Sequence, residues 1–267
     1  MVWKTPWYDA SLPHHAPEGF RNTSGSEHQP GDLKRWQNER KAKGLPLAPA
    51  AGYAAFIRRW WQPVDLQQEG DGLWWLGHAS LLLRLAGRYL LIDPVFSKRA
   101  SPVSFAGPQR KTPVPLNLAD LPLLDAILIS HNHYDNLDSR TLRQLRRRFP
   151  EVEVLVPLGL KAWFSRRGFR HVTELDWWQQ GALGDIRLHA VPAQHWSMRT
   201  LWDRNRSLWC GWVIEHSDVR FWFSGDTGYT ETLLEIPARL GAINVAALPA
   251  GAYAPRWFMS NHHMDPH

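Results

Sequence analysis

The segment Leu124-Asp125-Ala126-Ile127-Leu128-Ile129 is apolar but for one aspartate, and it runs straight into Ser130-His131-Asn132-His133-Tyr134-Asp135-Asn136-Leu137-Asp138-Ser139. A short apolar run of this kind reads as a buried strand, and a polar corner at its exit is where α/β folds place their chemistry. Alternate residues of an extended chain share a side, so His131, His133 and Asp135 emerge together. Imidazole nitrogen and carboxylate oxygen suit zinc, manganese or iron. A single loop histidine is ordinarily explained by hydrogen bonding, but three donor residues at alternating positions behind a strand point to metal. One corner rarely closes a metal site, and two further strand ends offer partners. His195 follows the apolar run ending Val191-Pro192-Ala193, and Asp226 follows Phe221-Trp222-Phe223-Ser224-Gly225, beside glycines that allow close backbone approach.

The rest of the chain bounds the fold around that corner. With 267 residues and an apolar share of 44% it can bury a real core. Residues 1–52 are rich in Pro, His, Gly, Asn and charge, and read as a partly irregular arm laid over a domain spanning 53–267. Within the arm, residues 32–44 suggest one amphipathic helix. Residues 72–94 read as two strands joined by Ala86-Gly87-Arg88. Leu142, Leu145 and Phe149 share a helical face behind an Asp138 or Ser139 cap. Further strands are expected in 152–157, 170–175, 185–193, 208–216, 219–225 and 243–251, with helices at 158–167 and 230–240. The mixture predicts an α/β (α+β) sandwich whose sheets meet in the core under covering helices. Sixteen tryptophans, several in pairs, are assigned mainly to that core.

Charge and punctuation exclude several classes. No apolar stretch reaches the roughly 18–20 residues of a bilayer span, and the start lacks a secretory signal's apolar core. Cys210 stands alone, so an intrachain disulfide is excluded and a reducing compartment fits. A formal charge of +6 favours acidic partners, yet no nucleic-acid-binding motif accompanies it, so no nucleic acid is expected. A cytoplasmic protein is expected, with peripheral contact to the inner membrane surface; the basic run Arg143 to Arg148 and the pair Trp257-Phe258 are candidates for touching lipid, against the plainer readings of a solvated helix face and of packing.

The segments HNHYDNLD, AQHW, GDTGY, WLGHASLLL and LIDPVFSKRASP, with GAYAPRWFM and HMDP further on, resemble the metallo-β-lactamase superfamily. The likeness is closest to its N-acylphosphatidylethanolamine-hydrolysing phospholipase D branch and covers most of 70–266. It implies an αββα sandwich with a metal centre at one edge of the two sheets. By that resemblance His131, His133 and His195 hold a first zinc ion, Asp135 belongs to a second, and Asp226 bridges the two. Asp135 and Asp226 also orient a bridging hydroxide that attacks phosphorus, while Tyr134 and His263 match positions that hold the phospholipid head group. Asp93 and His78 are candidates to orient the ligand imidazoles.

Two departures bear on the metal count, which is one or two zinc ions per chain. Asn136 stands where the family has histidine, and asparagine oxygen binds zinc far more weakly. The family's last metal histidine lies downstream of HMDP, beyond His267, and nothing in the spacing shows that His262 or His267 replaces it. The resemblance therefore predicts a sandwich incomplete at its C-terminal edge, with truncation of a longer ancestor as the explanation and an open sheet edge inviting a homodimer. Three functions follow: a zinc phosphodiesterase of N-acyl phospholipids; a metallohydrolase of a small soluble phosphorylated lactone or cyclic phosphate; and an inactive remnant.

Overall fold

A computed structural model describes residues 4–25 and 28–265. The arm begins with a small hairpin, β1 (His15–Ala16) and β2 (Gly19–Phe20), and continues through α1 (Asp32–Ala42) and α2 (Gly52–Trp60). The helix expected at 32–44 is present but not amphipathic, because it buries none of its residues; one side reaches across, with Trp36 stacked on Phe258 at 5.1 Å, Arg35 over the Trp257 ring and Glu39 accepting from the Trp257 indole. Helix α2 was not legible as a helix at all, since its apolar residues stay largely on the surface: Phe56 and Trp60 are 40% and 62% exposed.

The first sheet follows the order β3 (Gly72–Gly77), β4 (Ser80–Leu85), β5 (Arg88–Ile92), β6 (Ala126–Leu128), β7 (Glu153–Pro157), β8 (His171–Leu175). Three antiparallel strands lead into a parallel run from β5 to β8. The expected two strands over 72–94 are thus three. Gly77 and His78 take positive φ of 95° and 53°, turning the chain, and the Trp75 indole donates to the His78 carbonyl at 2.7 Å to close the corner. Between the parallel strands lie α3 (Ser139–Arg148) and α4 (Lys161–Ser165).

The second sheet contains β9 (Gln180–Leu183), β10 (Ile186–Val191), β11 (Gly211–His216), β12 (Val219–Phe223) and β13 (Val245–Ala247), antiparallel except for the last pair. Strand β9 was not expected. The helix foreseen at 230–240 forms as a 3-10 turn, Glu231–Leu234, continuing into α5 (Glu235–Leu240), and α6 (Arg256–Met259) closes the described chain.

Period-two alternation builds the layers. Leu81, Leu83 and Leu85 point between the sheets, where they meet Leu188, Trp212, Ile214 and Phe221 of the second, while Leu82, Leu91, Ile127 and Val154 face outward under Leu142, Leu145 and Phe149 of α3. On the far side Val191 and Val213 pack beneath Leu233 and Ile236. The result is an αββα sandwich. Each buried leucine contributes about 1.5–3 kcal/mol. Tryptophan divides: Trp177, Trp209 and Trp212 are core and Trp7, Trp74, Trp163, Trp178 and Trp222 pack against it, whereas Trp60, Trp75 and Trp202 are at least 62% exposed.

Candidate metal centre

Three strand ends deliver the donors. The corner after β6 carries His131 and His133, the segment after β10 carries His195, and the turn after β12 carries Asp226. Nε2 of His131 lies 2.8 Å from Nδ1 of His133, and Nε2 of His195 lies 3.2 Å from the same atom. Asp226 Oδ2 stands 3.8 and 3.9 Å from the first and third of these nitrogens. His195 Nδ1 donates to the His262 carbonyl at 3.1 Å and His131 Nδ1 lies 2.9 Å from the Ser130 hydroxyl, which leaves both Nε2 atoms as lone pairs aimed at one His133 nitrogen. A single proton on that nitrogen cannot satisfy both. Among the described residues the buried His133 Nε2 has no hydrogen-bond partner. Burial holds His131 and His195 well below the ordinary imidazole value, and His133 down to about 4, so all three are neutral and able to donate lone pairs to a cation. This donor set fits a metal.

Around the trio, Asp93 at the end of β5 accepts from the Ser130 backbone and hydroxyl and from Asn136 Nδ2, the last at 3.0 Å. Three donors demand a carboxylate, whereas burial pushes the Asp93 pKa up to about 7; the donors keep the charge in place above that value. Asp93 therefore reaches His131 through Ser130 rather than directly. Asn136 directs its amide to Asp93, and its Oδ1 is buried without a partner among the described residues.

His78 Nε2 donates to Asp135 Oδ2 at 3.2 Å. Burial works to raise the Asp135 carboxyl, but the hydrogen bond from His78 and the nearby imidazoles hold it well below the usual range. Burial, reinforced by the Asp135 charge, pushes Asp226 up to about 7. His78 thus touches a candidate site carboxylate, not an imidazole.

His78 and Asp135 form a ridge between two clefts. One, of 540 Å³, is lined by Trp75, Leu81, Phe223, Leu248 and His263. The other, of 760 Å³, is lined by Lys98, Arg110, Lys111, Tyr134, Trp196 and Met198. Tyr134 donates its hydroxyl to the Arg199 carbonyl at 3.0 Å under the Arg199 guanidinium. The His263 ring sits 5.3 Å from that of His195. His262 supplies its carbonyl, not its ring, and His267 lies outside the described residues. Phe258 is packed against His28 and Trp36, and Trp257 lies under Arg35.

Several contributors carried no readable signal. Arg199 braces the corner through the carbonyls of Asn132 and Leu137, and Asn22 of the arm bonds the His195 backbone. A second group of metal-type donors among the described residues, His14, His15 and Asp176, is differently arranged. There each imidazole Nε2 bonds one carboxylate oxygen, at 2.7 and 2.8 Å, so its donors are already satisfied and it anchors the arm.

A family model for the beta-lactamase superfamily domain matches residues 88–267. The chain is 43% identical over 202 residues to N-acyl-phosphatidylethanolamine-hydrolyzing phospholipase D 1 of Caenorhabditis elegans, covering 72% of this chain and 57% of that protein. It is 35% identical over 199 residues to the mitochondrial N-acyl-phosphatidylethanolamine-hydrolyzing phospholipase D of Saccharomyces cerevisiae, covering 72% of this chain and 42% of that one. The chain thus spans about half the length of the curated relatives it matches. The isothiocyanate hydrolase from Delia radicum gut bacteria shares the fold, with a TM-score of 0.56 at 20% identity over 72% of this chain and 76% of that one.

Proposed function

The chain belongs to the beta-lactamase superfamily, and from that premise we propose that it is a zinc-dependent phosphodiesterase of N-acylphosphatidylethanolamine-type phospholipids, releasing N-acylethanolamine and phosphatidic acid. The observation that carries this reading is the convergence of three neutral imidazoles beside Asp226 where two clefts of different character meet. Likeness to the nematode and yeast phospholipases supports the substrate class.

His131, His133 and His195 would hold the cation, with Asp226 and Asp135 alongside. When bound, the cation supplies Lewis acidity and makes water acidic enough to attack near neutral pH. Asp135, kept ionised by His78, orients the attacking water together with Asp226. Lys98, Arg110 and Lys111 offer positive charge to the phosphoryl group, Tyr134 and His263 flank the head group from opposite clefts, and Leu81, Phe223 and Leu248 give an acyl chain an apolar wall. Among the described residues no helix is long and apolar enough to cross a membrane. Exposed Phe56, Trp60 and Trp61 beside Arg58 and Arg59 on α2 support peripheral contact with lipid. The edge strand β13, with Val245 49% exposed, supports pairing with a second chain.

His133→Ala is expected to abolish metal-dependent hydrolysis of N-acylphosphatidylethanolamine in mixed micelles while circular dichroism stays unchanged; undiminished turnover refutes the reading. Hydrolysis of water-soluble cyclic phosphates or phosphorylated lactones without any of micellar lipid selects the small-substrate alternative. A second reading, an inactive remnant, draws on Asn136, whose amide serves Asp93. Metal-dependent turnover that survives removal of trace contaminants excludes it.

A further inference from the structure

We infer that Asn22, on the N-terminal arm, is a positioning residue for His195, an inference that rests on the reading of His195 as a metal ligand. The Asn22 side chain makes a reciprocal pair of hydrogen bonds with one residue: its Nδ2 donates to the His195 carbonyl at 2.8 Å and its Oδ1 accepts from the His195 amide at 3.1 Å. This is what a neighbouring strand would provide, and His195 has left its strand, which ends at Val191. His195 is 1% exposed, so its backbone donor and acceptor both need partners inside the protein. The ring is fixed separately, by the bond from Nδ1 to the His262 carbonyl. Backbone clamp and ring clamp together set where Nε2 points.

The arm holds that position from both directions. Ser24 Oγ donates to Gln194 Oε1 at 2.7 Å and lies 2.7 Å from the Thr230 hydroxyl, tying the residue before His195 to the loop that follows Asp226. At the other end His14 and His15 grip Asp176, with His14 stacked on Trp177 at 4.2 Å. A segment anchored at both ends delivers Asn22 to a fixed place. Residues that orient a ligand change metal affinity typically 10- to 100-fold when lost.

The test uses the full chain and zinc alone as the probe, with affinity read by competition against a chromophoric chelator and metal-free thermal melting recorded beside it. Asn22→Ala is expected to weaken zinc binding roughly 10- to 100-fold. Asn22→Asp keeps the acceptor for the His195 amide but turns a second carboxylate oxygen toward the His195 carbonyl, where two acceptors repel, so its affinity also falls. Arg21→Ala removes a side chain that bonds the Pro13 carbonyl, and it matches the unaltered chain. Zinc affinity unchanged in Asn22→Ala overturns the inference, even if the melting temperature falls, because the role is then structural only. Should that variant fail to fold, Asn22→Asp decides: unaltered affinity overturns the inference, and weakened affinity supports it. Equal binding by His195→Ala and the unaltered chain, or no binding by either, overturns the metal-ligand reading and this inference with it.

Discussion

Gly225 shows how tightly the candidate centre is drawn together. It holds φ +62° one residue before Asp226, and a β-carbon there would lie 2.9 Å from both the Cys210 carbonyl oxygen and Ser130 Cβ. Gly225→Ala combines left-handed strain with overpacking against backbone, and a loss of roughly 2–4 kcal/mol is expected in urea unfolding. Because Ser130 also bonds His131 and Asp93, the displacement reaches a candidate ligand. At this scale the sequence was legible in part. His131 and His133 alternate along one strand exit and meet at 2.8 Å, but the chain turns after His133, whose carbonyl accepts from the Asn136 and Leu137 amides, so Asp135 pairs with His78 instead. Asn136 was legible as a departure but not in its work, since Asp93 lies 43 residues away. Asn22 carried no signal, because an asparagine in a polar arm looks the same whether it meets water or a buried backbone.

Among the elements, α3 illustrates a helix whose start does two jobs. Asp138 caps it by accepting from the Arg140 amide, and also accepts from the Thr141 hydroxyl and the Ser97 amide. Asp138→Ala is expected to cost about 1–2 kcal/mol of stability through the cap, read by denaturant midpoint, and to free the Ser97 loop that lines the basic cleft. The cap and the Leu142, Leu145, Phe149 stripe were readable from spacing alone. Strand β9 was not: Gln180-Gly181-Ala182-Leu183 has one large apolar residue, and its strand character comes from pairing with β10. The turn at His78 was hidden for the opposite reason. Trp74 to Leu83 is nearly continuous in apolar character, and only the positive φ at Gly77 and His78 splits it, swinging an imidazole onto Asp135.

For the whole molecule, the attachment of the arm sets an acid limit. Burial works to raise the Asp176 carboxyl, but the hydrogen bond from His14 and the charges of His14 and His15 hold it below 3.8. A depressed folded pKa contributes stability that is complete above the unfolded value and disappears as pH falls through the folded one. The arm is therefore expected to stay docked down to about pH 4 and to detach below it, which proteolytic sensitivity of residues 4–25 across an acid titration would reveal; Asp176→Asn removes that dependence. The two-sheet architecture and its layers follow from alternation in the strands, whereas the route of the arm depends on partners far along the chain. That distance has a meaning in time. Asn22 and His195 are 173 residues apart, so at roughly 5–20 residues per second a ribosome needs about 9–35 s between making one and the other. Throughout that interval the arm waits without its partner, and a polar, histidine- and proline-rich composition keeps a waiting segment from sticking to the wrong surface. Its partners Asp176, Gln194 and His195 all come late in the chain, so the arm docks only after they are made.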